Sequence, residues 1–286
     1  MEVGVGLPNT LPGASGALVL GWARRADAGP FASLGVFDRL VYDSLDPFLT
    51  LAAAAGVTAR VRLATTVVIG PLRNDALLAQ EAATLDVLSG GRLTLGLALG
   101  ARPDDYAAAG VPYAHRGRRL SEQLVALRAC WEDGTVGPRP VQPGGPELLV
   151  GGLNDAACAR AARHADGFIH NGGPPRVFAA AATRARAAWV DAGRPGAPRL
   201  WGMGYFALGA AEADAGAAYL RDYYAFTGPF AERIAAGLLT TPQAIVQFVR
   251  GYAEAGCDHL VLFPTAARAE QLDRLADVVG GLRTQD

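Results

Sequence analysis

The chain reads as an α/β protein, a (β/α)8 TIM barrel with an insertion between its seventh and eighth strands. Three observations predict it: β-rich runs alternate with helical periods, eight such units fit into 286 residues, and several of the runs are apolar throughout. An apolar run needs cover on both faces, and a parallel sheet wrapped by helices supplies it.

The β-rich runs, each bounded by turn residues, fall at 3–7, 34–37, 61–69, 93–99, 147–150, 166–170, 199–207 and 258–263. Between them the period changes. Leu120, Leu124, Leu127 and Trp131 share one helix face, and Leu272, Leu275, Val279 and Leu282 share another near the C-terminus. Asp46-Pro47 and Thr241-Pro242 each place a capping oxygen before a proline at the first helical position. Gly90-Gly91 and Gly256 read as helix stops. Residues 1–286 are thereby expected to form a single domain. Two stretches exceed a minimal barrel. Residues 133–146 are rich in Gly and Pro, and about fifty residues between the last two strands hold Tyr219, Tyr223, Tyr224, Phe226 and Phe230 around Gly228-Pro229. The second stretch reads either as a lid or binding loop, or as an extra surface helix or dimer contact.

Composition narrows the chemistry. With 26 basic and 27 acidic residues the net charge is -1, so no global field draws the chain to nucleic acid or an anionic membrane, and a small molecule is the expected partner. No apolar segment is long enough for a membrane span and no secretory leader is evident, so a cytoplasmic location is expected. All 26 basic residues are arginine, which excludes Schiff-base lysine chemistry and the P-loop. Cys130, Cys158 and Cys257 have no Cys-x-x-Cys spacing and read as reduced packing residues. There is no Gly-x-Ser-x-Gly elbow and no His-Glu-x-x-His helix. The chemistry is therefore expected to belong to a bound cofactor.

In such barrels the active site lies at the C-terminal ends of the strands. That rule gathers Asn9 and Thr10, Asp38 to Tyr42, Thr65 to Val68, Gly100 to Arg102, Gly151 to Asn154, His170 to Gly173 and Phe263-Pro264 around one mouth. Gly151-Gly152 and Gly172-Gly173 each follow a strand and precede a helix, as phosphate-binding backbone does, and as tight βα turns without a ligand also do. His170 ends the sixth strand and is expected to face the mouth, either as a general acid or base or as a hydrogen-bond partner of a cofactor. Arg39 and Arg102 stand beside it as candidate catalytic charges. His164 and His259 precede their strands and read as structural. His115 reads as solvated or capping, and Asp104-Asp105 as a capping pair rather than a metal site.

Leu63-Ala-Thr-Thr-Val-Val-Ile-Gly-Pro-Leu-Arg-Asn-Asp75, Gln80-Glu-Ala-Ala-Thr-Leu-Asp-Val-Leu-Ser-Gly-Gly-Arg92 and Leu95-Gly-Leu-Ala-Leu-Gly100 occur in that order. Val111-Pro-Tyr-Ala-His-Arg-Gly-Arg-Arg-Leu-Ser-Glu122, Gly151-Gly152 and Ala165-Asp-Gly-Phe168 follow them. In order and spacing this pattern resembles the bacterial luciferase-like monooxygenase family of flavin- and deazaflavin-dependent oxidoreductases. The resemblance implies a homodimeric barrel that binds reduced FMN, or alternatively the deazaflavin coenzyme F-420, at the strand ends, with a separate flavin reductase as a further partner. It implies a non-proline cis peptide at Thr66-Val67 behind the ring, and Leu99, Gly100 and Ala101 beside it. Gly151, Gly152, His170, Asn171, Gly172 and Gly173 are implied to lie near the ribityl chain and phosphate, with Arg176 as a charge partner. Where sugar-phosphate dehydrogenases of the deazaflavin branch carry a glutamate and a lysine, this chain has Ala101 and Pro174. The strand-two Asp-His motif reads Asp38-Arg39. The expected activity is oxygenation of a small organic substrate with reduced FMN and O2. Deazaflavin-dependent hydride transfer and non-catalytic flavin carriage are the alternatives.

Overall fold

The computed structural model describes residues 1–283. Among them β1 (Glu2–Gly6), β2 (Ser33–Val36), β3 (Arg62–Ile69), β4 (Leu93–Ala98), β5 (Glu147–Gly151), β6 (Gly167–Ile169), β7 (Arg199–Phe206) and β8 (His259–Pro264) are all parallel and close into a barrel in chain order. Helices α1 (Gly16–Ala28), α2 (Pro47–Ala55), α3 (Asp75–Ser89), α4 (Pro103–Ala108), α5 (Arg116–Asp133), α6 (Asp155–His164), α7 (Pro175–Asp191), α8 (Ala210–Tyr223), α9 (Phe230–Ala236), α10 (Pro242–Glu254) and α11 (Ala269–Arg283) separate and cover the strands. The expected caps form: Asp46 accepts from the Leu49 amide, Thr241 from the Ala244 amide, and Gly90 ends α3 in the left-handed region.

Strand alternation sorts the side chains into two cores. Val3, Val5, Leu34, Val36, Leu95, Leu97, Leu148, Val150, Leu260 and Leu262 face the helices, and Ala64, Leu149, Ile169, Trp201, Met203, Tyr205, Val261 and Phe263 fill the barrel. Glycines on the inward positions of one side make room for large rings from the other. A Cβ on Gly6 would stand 2.1 Å from the Phe263 ring, and one on Gly35 would stand 2.8 Å from Val261.

The N-terminal end of the barrel is closed by a polar layer. Glu147 lies 3.4 Å from Arg62 and 3.5 Å from Arg199, and Thr94 donates to Glu147 at 3.0 Å. His259 is fully buried, stacked on Trp201, and joins the Ser33 hydroxyl at 2.7 Å to the Glu2 carboxylate at 3.0 Å. His259 is thus a structural residue, and burial holds its imidazole below the usual range in spite of Glu2. The connection 133–146 is tied to this same end, because the Asp86 carboxylate of α3 accepts from the Val141 and Gln142 amides. The long insertion goes to the opposite end, where α8, α9 and the turn between them lie over the strand termini.

Candidate active site at the C-terminal mouth

Two halves of the mouth differ in what lines them. Just past β2 and along β7 and β8 the residues at this end are large and buried: Phe37 and Phe263 stack at 3.8 Å, and Tyr205 lies 5.9 Å from Phe37 and 6.3 Å from Phe263. Tyr219, Tyr223 and Tyr224 descend from α8 and its end to complete this aromatic half. Over β3 to β6 the corresponding residues are small, and solvent reaches the inner wall. Val67, Ala98, Gly100, Gly152 and Gly172 are half-buried, and Ala101, Asn171 and Gly173 are exposed.

Val67 owes its position to a break in β3. The register with β4 shifts between Thr65 and Val68, and the Thr66-Val67 peptide is cis, as the resemblance implies. Hydrogen bonds hold the break on both sides. The Thr65 hydroxyl donates to the Gly96 carbonyl at 2.8 Å and accepts from the Gly96 amide, while the Thr66 hydroxyl donates to the Val36 carbonyl at 2.9 Å. Val67 then rests over a side-chain-free position on each of the next two strands, its Cγ1 3.2 Å from the place a Gly96 Cβ would occupy and 3.0 Å from that of Gly151. At the end of β4 the Leu99 carbonyl accepts from the buried Tyr106 hydroxyl of α4, and Gly100 turns the chain at a φ of 68°. After β6, Gly172 and Gly173 take φ values of 89° and 103°, and the Tyr252 hydroxyl donates to the Gly173 carbonyl at 2.9 Å. A Cβ on Gly173 would meet only open space. Arg176 stands exposed in the first turn of α7.

The polar candidates take up other positions. His170 does not face the mouth. Its amide continues the ladder to Trp201, so alternation puts its ring on the helix side with Phe168, 6.1 Å from Phe178 of α7, while Ile169 points inward. Burial, reinforced by Arg184 and opposed by the Gly172 backbone, lowers its pKa to about 4, and among the described residues Nδ1 has no hydrogen bond of ordinary geometry. Arg39 and Arg102 do meet at the mouth, and both donate to the Tyr223 carbonyl, at 3.1 and 3.0 Å. That carbonyl closes α8, where a cation is favoured and a backbone acceptor lacks a helical partner. Both guanidinium groups also lie over the Tyr223 ring. Asp105 is not a helix cap: its Oδ1 accepts from the Leu40 and Val41 amides, which pins the loop that carries Arg39. His115 occupies the cap position of α5 without a side-chain bond and is exposed. Among the described residues no cluster of His, Cys, Asp or Glu could hold a metal.

The insertion therefore packs over part of the mouth with helical structure of its own. Besides the arginine clamp, Tyr42 donates to Asp222 at 2.6 Å and Thr10 pairs with Tyr219 at 2.9 Å. Tyr205, which no motif marks, also points into the barrel, and its alternation with Trp201 and Met203 along β7 is the only sign of this in the sequence. Two recesses of about 570 and 620 Å³ lie elsewhere, on the outer surface, and neither includes a site residue expected from the sequence.

A profile of the family described as luciferase-like monooxygenase matches residues 1–256. The chain belongs to that family. An uncharacterised Mycobacterium tuberculosis protein is 38% identical over 149 residues, covering 46% of this chain and 49% of the relative. The pyrimidine monooxygenase RutA of Cronobacter sakazakii is 32% identical over 176 residues, covering 53% and 50%. The chain thus spans about half the length of these curated relatives. Two solved structures share the barrel. An F420-dependent secondary alcohol dehydrogenase with an F420-acetone adduct superposes with a TM-score of 0.79 at 17% identity, covering 97% of both chains. The oxygenating constituent of the Pseudomonas putida 3,6-diketocamphane monooxygenase, in complex with FMN, gives 0.75 at 17% identity, covering 98% of this chain and 97% of that one. At such identities these two show the fold alone. Among the described residues no helix is long and apolar enough to cross a membrane.

Proposed function

We propose that this luciferase-like chain is a monooxygenase that uses reduced FMN and O2 on a small organic substrate. The observation that carries the reading is the division of the mouth into an open strip of small residues and a buried aromatic half. The strip fits a flavin. Val67 supplies a shelf for a flat ring, Gly100 and Ala101 leave its edge unobstructed, and Gly151, Gly152, Asn171, Gly172 and Gly173 offer backbone to the chain and phosphate, with Arg176 as the nearby cation. Bound there, reduced flavin supplies the electrons that activate O2. The protein's part is to orient the substrate against the aromatic half and to exclude water with the lid. The RutA relative, named as a monooxygenase, supports oxygenation. Ala101 and Pro174, where deazaflavin-dependent sugar-phosphate dehydrogenases carry charged residues, favour FMN.

The test is an anaerobic titration with reduced FMN and, separately, with reduced coenzyme F-420. Reduced FMN is expected to bind at micromolar concentration and F-420 more weakly. Binding of F-420 alone would replace oxygenation by hydride transfer, and binding of neither would remove the proposal.

A further inference from the structure

Inside the aromatic half, the hydroxyls of Tyr205 and Tyr224 lie 2.5 Å apart. Two hydroxyls carry two protons, and the bond between them uses one. The phenol that accepts must direct its own proton elsewhere, and among the described residues neither oxygen has another partner. Burial raises both phenols above their ordinary range, so both remain protonated donors at neutral pH; Arg39 and Arg102 draw Tyr224 partly back.

The surroundings define what could accept. Phe37, Phe263 and Tyr223 present rings to the pair, with centroids 5.9, 6.3 and 5.1 Å from Tyr205, Tyr205 and Tyr224 respectively. The nearest guanidinium groups, Arg39 and Arg102, are already turned to the Tyr223 carbonyl. Tyr205 is buried, whereas Tyr224 keeps partial exposure. We infer that the Tyr205–Tyr224 pair is a substrate-binding element that donates a hydrogen bond to the carbonyl oxygen of a planar, largely apolar substrate. This rests on the reading of the mouth as the substrate site of a flavin enzyme.

The experiment compares 2-acetylnaphthalene with 2-isopropenylnaphthalene, a hydrocarbon of similar shape, by calorimetry on the cofactor-free full chain. The ketone is expected to bind about fivefold to tenfold more tightly, the ratio that one hydrogen bond of ordinary strength gives. Replacing both phenols (Tyr205→Phe with Tyr224→Phe) should bring the ratio to about one without weakening the hydrocarbon. Each single replacement leaves one O–H and should retain part of the preference. Infrared spectra of the bound ketone need no variant, and its C=O stretch should fall below the position seen in an alkane. Equal binding of the two probes by the wild type, a preference that survives in the double variant, or an unshifted carbonyl band would overturn the inference. Because no cofactor is present, a flavin that binds while the ketone is not preferred would sink the pair alone. Failure of every flavin to bind would instead remove the proposed function.

Discussion

Burial fixes the charge of His170. Its folded pKa of about 4 lies below the ordinary value of 6.5, so the unfolded chain takes up a proton that the native state refuses. The stabilisation it contributes is complete above pH 6.5 and is lost as the pH falls from there toward 4. At about 1.4 kcal/mol per pH unit, the wild type should lose roughly 2 kcal/mol from this residue between pH 7 and pH 5. His170→Phe should flatten that part of the urea-unfolding profile, and an unchanged pH slope would show that the imidazole is solvated. Gly96 offers a second test, because a Cβ there would stand 2.3 Å from the Thr65 carbonyl oxygen, which is backbone and cannot swing away. Gly96→Ala should destabilise by about 1–3 kcal/mol, read as a lower melting temperature, and should disturb the shelf under Val67. At this scale the sequence tells part of the story. The place of His170 at the end of β6 is legible. The direction of its ring is not, because a strand of three residues shows its alternation only once its register with β7 is known.

Arginine takes every cationic role in the elements, and its fork geometry matters. Arg92 donates to the carbonyls of Ser89, Val61, Thr58 and Ala55, closing α2, α3 and the approach to β3 together. A lysine has no planar fork, so Arg92→Lys should cost about 2 kcal/mol in chemical denaturation despite conserving charge. At the other end, Arg102→Leu leaves the Tyr223 carbonyl to Arg39 alone. Limited proteolysis should then cut the turn 224–229 faster than in the wild type, and an unchanged cleavage rate would mean that the clamp does not hold the lid. The eight strands were readable because apolar runs and turn residues alternate with helical periods. The lid was only half readable. Tyr219 and Tyr223 have the spacing of one helix face, but whether such a face covers a mouth or a second subunit depends on where the barrel puts it.

Across the whole molecule, the two ends of the barrel divide the work. The N-terminal end is sealed by Glu147 with Arg62 and Arg199 and by His259 with Glu2, and the C-terminal end is left open over β3 to β6 and aromatic over the rest. Closure of the first end lets the second carry small residues and glycine turns without opening the core. If the open strip holds the flavin, a crystal structure of the chain with FMN will show the ring against Val67 and the phosphate beside Gly172 and Gly173. A flavin bound among the rings of Phe37, Tyr205 and Phe263, or in the outer recess between Pro242, Val246, Arg274 and Val278, would contradict it.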